Sequence, residues 1–350
     1  MQQFSLKTRL CFGADALSAL KELKPKRTLL VTDKFFSQSG KAQEILQLCG
    51  GEGRIFDGVQ PDPELSVVAC GVKMLQEFEP DLLLALGGGS AIDCAKGILS
   101  MGKTAVRFVA VPTTSGTGSE VTSFAILTHD GVKHPLVEAG LRPELAILDD
   151  SLLTGLPKSL IADGGMDTVS HCLEAAASKN ANVFTTSLAE SALRLCLQLL
   201  PRSFAGDLSA RAPLHQAATM AGIAFDGAGL GICHALSHAL GGAFHLPHGR
   251  LNGILLPHVL EFNLPAATPA YKALAEHCGF GSPQALRFSL LRLRKRLELP
   301  ESLSAAGLDR GKLLPRLEEV AAAAAQDPCL RTNPRPASEA ELAAIIRRAI

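Results

Sequence analysis

The 350-residue chain has no tryptophan and a single tyrosine, Tyr271. With so few large polar rings, stacking on exposed nucleobases is not an expected mode of action. An excess of either charge is missing too: 34 Lys and Arg residues balance 34 Asp and Glu residues. A balanced chain offers no electrostatic footprint for nucleic acid or for an anionic membrane surface. No apolar run reaches the about 20 residues that span a bilayer. The opening MQQFSLKTRLCFG lacks the long apolar core of a signal peptide. Nine cysteines occur singly, with no CxxC pair, which fits reduced thiols better than a disulfide framework. The expectation is a cytoplasmic protein with no nucleic-acid and no membrane partner.

What is present is enough apolar material for a large core, 47% of residues, in a length that usually makes two domains. The first half alternates strand-like and helix-like segments. Thr28–Thr32, Asp81–Leu86 and Val106–Val111 are short apolar runs suited to buried parallel strands. Between them, Glu64–Phe78 places Val67, Val68, Val72, Leu75 and Phe78 at helical spacing. That alternation predicts a doubly wound α/β unit. After about Leu156 strand-like runs become rare, and segments such as Thr185–Leu200 and Pro283–Leu297 read as helices. Gly155 and Pro157 interrupt the pattern. The predicted organisation is therefore residues 1–156 as an α/β domain with a parallel sheet, then residues 157–350 as an all-helical domain.

Two glycine-rich loops follow predicted strands. GGGSAIDCAKGI, from Gly87, opens a helix, with Ser90 as the expected cap and Asp93 three residues on. A helix N-terminus with free N–H groups attracts phosphate. The loop is neither the GxGxxG fingerprint nor a GxxxxGK[ST] P-loop, and alone it is as readily a tight strand-to-helix turn. PTTSGTGSE, from Pro112, is the second. Two such loops at successive strand ends share one edge of a parallel sheet, where open α/β folds bind ligands. Asp33 ends the first run, where an acid can bond a ribose 2′-hydroxyl; the plainer reading is a helix N-cap.

Histidines supply the other signal. Five of the ten lie in CHALSHALGGAFHLPHGRLNGILLPHV, and GGMDTVSHCLEA holds Asp167 and His171 four residues apart. His234 and His238 repeat that spacing, and His248 follows Pro247. On a helix, residues four apart share a face. Imidazoles with one carboxylate suit Zn²⁺ or Fe²⁺ better than Ca²⁺ or Mg²⁺, which prefer all-oxygen shells. Any one of these pairs alone is more often an ordinary helix-surface pair; their combination is what points to a metal. His245 and His258 receive no role.

GGGSAIDCAK, VPTTSGTGSEVT, GMDTVSHCLEA, AGLGICHALSHALGG and HLPHG, in this order, make the chain resemble the iron-containing (group III) alcohol dehydrogenases. FSLKTRL and CLRTNPRPAS resemble most the 1-propanol dehydrogenase and ethanolamine-utilisation branch. The resemblance implies an N-terminal domain that binds NAD(H) and a helical domain that holds Fe²⁺, with Zn²⁺ as the alternative ion. It assigns Asp167, His171, His234 and His248 as metal ligands and His238 as a further active-site histidine near the nicotinamide. It assigns Asp33 to the ribose and Gly88, Gly89 and Ser90 to the pyrophosphate. Thr113, Thr114 and Ser119 fall in its second cofactor segment, and Lys133 and Leu152 at further cofactor contacts. Three positions depart from the family wording, Gly164, Asp226 and Ala239; none removes a ligand.

The implied activity is reversible hydride transfer between NAD(H) and a short primary alcohol or aldehyde such as 1-propanol or propanal. The resemblance also implies a homodimer, with association with a bacterial microcompartment open for that branch. A zinc glycerol dehydrogenase-like or dehydroquinate synthase-like enzyme of the same architecture is the nearest alternative. A metal-dependent hydrolase or a non-catalytic NAD-binding protein would use only half of these features.

Overall fold

The structure is a computed structural model that describes residues 4–350. The chain forms two compact units, one of residues 5–156 and one of Phe4 with residues 157–350.

The first unit is built on a six-stranded sheet. Its strands are β1 (Arg9–Gly13), β2 (Arg27–Asp33), β3 (Glu52–Val59), β4 (Leu82–Gly87), β5 (Arg107–Pro112) and β8 (Leu145–Asp149), in the order β1-β8-β5-β4-β2-β3. Every pairing is parallel. Leu29, Leu30 and Val31 of β2 and Leu82 to Leu86 of β4 are fully buried, as a sheet covered on both faces requires. One face packs on the helices Leu65–Phe78 and Gly89–Gly102, through Val68, Leu75, Ile92 and Ile98. The other packs on Leu20, Ala42 and Ile45 from the segments after β1 and β2.

The strand order reverses between β2 and β4: the chain steps outward from β2 to β3, then returns to β4 on the other side. Ligands of open α/β sheets bind outside the carboxyl ends of the strands at such a reversal. Val31 pairs with Ala85, and Gly87 with Pro112. That register carries the end of β2 at Asp33 and the starts of both glycine-rich loops to one edge. A separate antiparallel hairpin joins β6 (Phe124–His129) to β7 (Val132–Val137). Its turn, Asp130-Gly131, has positive φ at both residues, 50° and 75°, as a two-residue hairpin turn of matching twist demands.

The second unit is helical. Its central helix, Lys158–Ala177, is buried along nearly its whole length from Ile161 onward. It lies among Val183–Phe204, Arg211–Ala228 and His248–His277. Gly165 leaves no room for a side chain because Leu200 of the neighbouring helix lies against it. The long helix from His248 bends at Ala267, between Pro265 and Pro269, where missing N–H groups and ring clashes break the ladder. The architecture is thus the α/β unit followed by a helical unit that the sequence predicts. No single helix among the described residues is long and apolar enough to cross a membrane.

Candidate active site

In the helical unit, Asp167 and His171 sit on the central helix, His234 and His238 on the helix Ile232–Phe244, and His248 opens the helix that follows its N-cap Pro247. The three helices bring ligand atoms of Asp167, His234 and His248 within 4.8 Å of one another, with His171 beside Asp167. From Asp167 Oδ1 the distances are 3.7 Å to His171 Nε2, 3.6 Å to His234 Nε2 and 3.4 Å to His248 Nε2. These contacts are long for hydrogen bonds. They match the spacing of ligand atoms around a shared ion, since donors about 2.1 Å from a tetrahedral centre lie about 3.4 Å apart. The donor set of three imidazole nitrogens and one carboxylate therefore fits Fe²⁺ or Zn²⁺.

The electrostatics point the same way. Asp167 is 3% exposed. Burial works against its ionisation, but the surrounding His171, His248 and His234 hold the carboxyl well below the usual range. Burial would push the His234 imidazole down; Glu174 and Asp167 outweigh it and raise it to about 9. Two buried carboxylates, Asp167 and Glu174, thus face the imidazole of His234.

Close backbone approach makes the convergence geometrically available. Gly249, next to His248, lies against the carbonyl of Asp163, so a side chain there would drive the long helix off the central one. Gly231, the N-cap of the His234 helix, lies where a Cβ would come within 2.6 Å of Asn333 Oδ1 and 2.9 Å of Glu174 Oε1.

Sequence reasoning missed the residues that hold these ligands in place. His234 Nδ1 and Glu174 Oε2 are 2.6 Å apart, a carboxylate–histidine pair that turns the other ring nitrogen, Nε2, toward Asp167. Glu174 also accepts hydrogen bonds from the N–H groups of Gly231 and Cys233, at 3.0 and 2.6 Å, so a neighbouring helix caps this helix N-terminus. Asn333, inside the CLRTNPRPAS motif, accepts the Ile232 N–H. Asn252 Nδ2 donates to Asp167 Oδ1 at 2.8 Å and lies 3.4 Å from His234 Nε2 and 3.1 Å from His248 Nε2. Helical spacing could have found two of them. Glu174 is seven residues after Asp167, and Asn252 four after His248, each on the ligand-bearing face.

His238 belongs to a different pair. Its Nδ1 is 2.8 Å from Asp327 Oδ2, while its ring stacks on His248 with centroids 5.1 Å apart. Burial would raise the Asp327 carboxyl, but His238 outweighs it and holds the group down at about 2. Nothing near His238 in sequence announces Asp327, which lies 89 residues away. His245 ends its helix in the left-handed region, φ 57°, and is exposed. His171 stacks on Phe225, next to Asp226, with centroids 4.4 Å apart.

In the α/β unit the cofactor candidates gather at the carboxyl edge of the sheet. Gly87, at φ +148°, takes a conformation that side chains resist, and the helix starts at Gly89 with Gly88 as its N-cap. Ser90 is thus not the cap that the sequence suggests. It stands within the first turn, because the backbone turns one step earlier, where only glycine follows it. The two loops press on each other. A Cβ on Gly88 would meet Thr114 Oγ1 at 3.0 Å, and one on Gly89 would meet Thr117 Cγ2 at 2.7 Å. Thr113 is buried, and its N–H donates to Gly87 O at 3.0 Å.

Asp33 takes the plainer of its two readings: its Oδ1 accepts from the N–H groups of Phe35 and Phe36 and caps the next helix. Both bonds use one oxygen, and the side chain still stands at the strand reversal. Ser119 is drawn inward. Its hydroxyl donates to Asp93 at 2.6 Å and accepts from Lys96 at 2.8 Å. The fully buried Lys96 also donates to the Phe124 and Ser119 carbonyls, so it clamps the second loop to the helix of the first. Lys133 pairs with Asp62 at 2.6 Å, and Leu152 packs on the sheet core just past β8. The structure thus brings Asp33, the glycines and Thr113 and Thr114 to one edge, and engages Ser119 and Lys133 in internal contacts.

Comparison with known proteins agrees with both units. Residues 7–150 match the family described as iron-containing alcohol dehydrogenase, and residues 161–350 match the C-terminal part of the Fe-containing alcohol dehydrogenase family. The chain is 39% identical to the 1-propanol dehydrogenase PduQ of Salmonella typhimurium, over 97% of each protein. It is 32% identical to an NADPH-dependent butanol dehydrogenase of Clostridium saccharobutylicum, over 98% of this chain and 96% of that one. The structure of an iron-containing alcohol dehydrogenase from Thermococcus thioreducens superposes with a TM-score of 0.93 at 32% identity, covering 99% of each chain. The likeness to PduQ supports the branch that the terminal motifs resemble. With its motifs, its fold and these likenesses in agreement along nearly all its length, the chain belongs to the iron-containing alcohol dehydrogenase family.

Proposed function

We propose that the protein interconverts a short primary alcohol and its aldehyde, with 1-propanol and propanal as the reference pair, using NAD(H) and a divalent ion held by Asp167, His171, His234 and His248. The observation that carries this reading is the convergence of three Nε2 atoms on Asp167 Oδ1, with Glu174 fixing His234 from behind. When bound, the ion supplies Lewis acidity and the nicotinamide accepts or donates the hydride.

The chain's own residues do the rest. Asp167 contributes the one negative ligand, and Asn252 holds its carboxylate in place. Glu174 keeps the His234 ring oriented. His238, with Nδ1 tied to Asp327, presents its other ring nitrogen for proton exchange with the hydroxyl of the substrate or with water. Asp33 at the end of β2 favours NAD over NADP, since its carboxylate repels a 2′-phosphate. Gly88, Gly89 and Ser90 offer backbone N–H groups and a hydroxyl to the pyrophosphate at a helix N-terminus. Thr113 and Thr114 form the facing wall, and Ser119, bonded to Asp93 and Lys96, holds the second loop against the helix of the first. A cytoplasmic homodimer completes the proposal.

The test is NADH oxidation with metal-depleted protein, reconstituted with Fe²⁺ or Zn²⁺, across aldehydes from acetaldehyde to butanal. Metal-dependent turnover that peaks near propanal is the expected result. Turnover of none of these aldehydes with either ion would overturn the reading.

A further inference from the structure

A second cluster of metal-binding side chains stands in the helical unit beside the first. His238, Asp327 and Cys329 bring one ligand atom each within 4.8 Å of one another. None of them is among the four residues proposed for the catalytic ion. His238 comes from the helix Ile232–Phe244, and the other two from the turn Pro328–Thr332 and its cap Asp327. The cap itself places carboxylate and thiol together: Asp327 Oδ1 accepts the Cys329 N–H at 2.8 Å. That leaves Oδ2 for His238 Nδ1, also at 2.8 Å.

The chemistry of this trio differs from that of the first cluster. It offers one nitrogen, one oxygen and one sulfur, a mixed set that Zn²⁺ and Cd²⁺ accept and that Mg²⁺ and Ca²⁺ do not favour. Donors about 2.0–2.3 Å from a tetrahedral ion lie roughly 3.3–3.6 Å apart. Small side-chain rotations therefore convert the hydrogen-bonded group into a coordination shell with one open position. Cys329 is buried. Burial first, then Asp327 and Glu174, push its thiol up. The negative charges that keep the proton on the sulfur also favour a divalent cation in its place, and a coordinating thiol gives up its proton.

We propose that His238, Asp327 and Cys329 form a second, inhibitory site for a thiophilic divalent ion, Zn²⁺ or Cd²⁺. The ion takes the His238 Nδ1 lone pair, one Asp327 oxygen and the Cys329 thiolate, and the thiol proton passes to solvent. While Nδ1 holds its proton against Asp327, the other ring nitrogen is free to accept one. With Nδ1 on an ion, that nitrogen must carry the ring's proton and can only donate. Occupancy thus withdraws His238 from proton exchange without displacing any residue of the first cluster. The inhibition rests on the role of His238 proposed above; the binding of the ion does not.

Titration of Cd²⁺ into the full chain already carrying one equivalent of Zn²⁺ tests it, read by equilibrium dialysis and by the ultraviolet cadmium–thiolate charge-transfer band. The wild type is expected to take up one further equivalent per chain, with the band growing in step. Cys329→Ser is expected to lose both the further equivalent and the band, and to keep its propanal-dependent NADH oxidation. Asp327→Asn, read by binding alone, is a second variant should the first not fold, and is expected to lose the further equivalent. As Cd²⁺ loads, turnover should fall in the wild type and hold in Cys329→Ser. No further equivalent in the wild type, a further equivalent that survives either substitution, or equal inhibition of the wild type and Cys329→Ser would overturn the proposal. Absence of propanal turnover would sink the alcohol reading alone, and the equivalents and the band would still decide whether the site exists.

Discussion

In the α/β unit the candidate site is made largely of backbone; in the helical unit it is made of side chains. At the carboxyl edge of the sheet, glycines at 87, 88 and 89 clear space and expose N–H groups, and threonines from the next loop close against them. In the helical unit, Asp167, His234 and His248 bring ligand atoms within 4.8 Å of one another, His171 lies 3.7 Å from Asp167, and Glu174 and Asn252 brace the group. The first arrangement depends on the space its glycines leave, the second on the donor atoms its side chains supply. Damage should therefore separate: ion binding fails through side-chain deletion in one unit, cofactor binding through side-chain addition in the other.

The largest effect is expected from His234→Ala. It removes a proposed ligand and leaves the buried Glu174 without its ring partner. Bound Fe²⁺ measured by elemental analysis should fall to background and turnover with it, while NADH affinity measured by fluorescence stays near that of the wild type. Loss of NADH binding as well would break the separation.

Glu174→Gln should act less severely. Ligands and shape survive, but the charge that orients His234 is lost, which typically weakens a metal by about 10- to 100-fold. Competition with a chelator would read this directly, and an unchanged affinity would remove Glu174 from its positioning role.

Gly89→Val sharpens the other side. The new side chain meets Thr117, and weakening of NADH by about tenfold, or about 1.4 kcal/mol, is expected with metal content unchanged. Thr117→Ala in the same chain should restore part of the loss. If the double variant is no better than Gly89→Val, the steric account of the two loops is wrong.

Legibility followed the same division. The buried runs at β2, β4 and β5, the helix Leu65–Phe78 and the glycine loops are local patterns, so both the α/β unit and the sheet edge could be read from contiguous residues. The hairpin of β6 and β7 is announced in the sequence only by its Asp130-Gly131 turn. A hydroxyl is the usual capping group, which points to Ser90; the positive φ of Gly87 makes the turn earlier and leaves Gly88 as the cap. In the helical unit, spacing within a helix shows which residues share a face, but not which faces meet. His234 and His238 are four apart, yet one ring is held by Glu174 and the other by Asp327. Asn252 and Asp167 are 85 positions apart, and only the packed helices bring them together.

If Asp167, His171, His234 and His248 hold one ion on which alcohol–aldehyde turnover depends, loading of that ion and turnover must rise together. The most direct measurement is propanal-dependent NADH oxidation during titration of the metal-depleted protein with Fe²⁺. Activity is expected to rise from background and to saturate at one equivalent of ion per chain. Full activity before any ion is added, or saturable loading that leaves the rate at background, would contradict it.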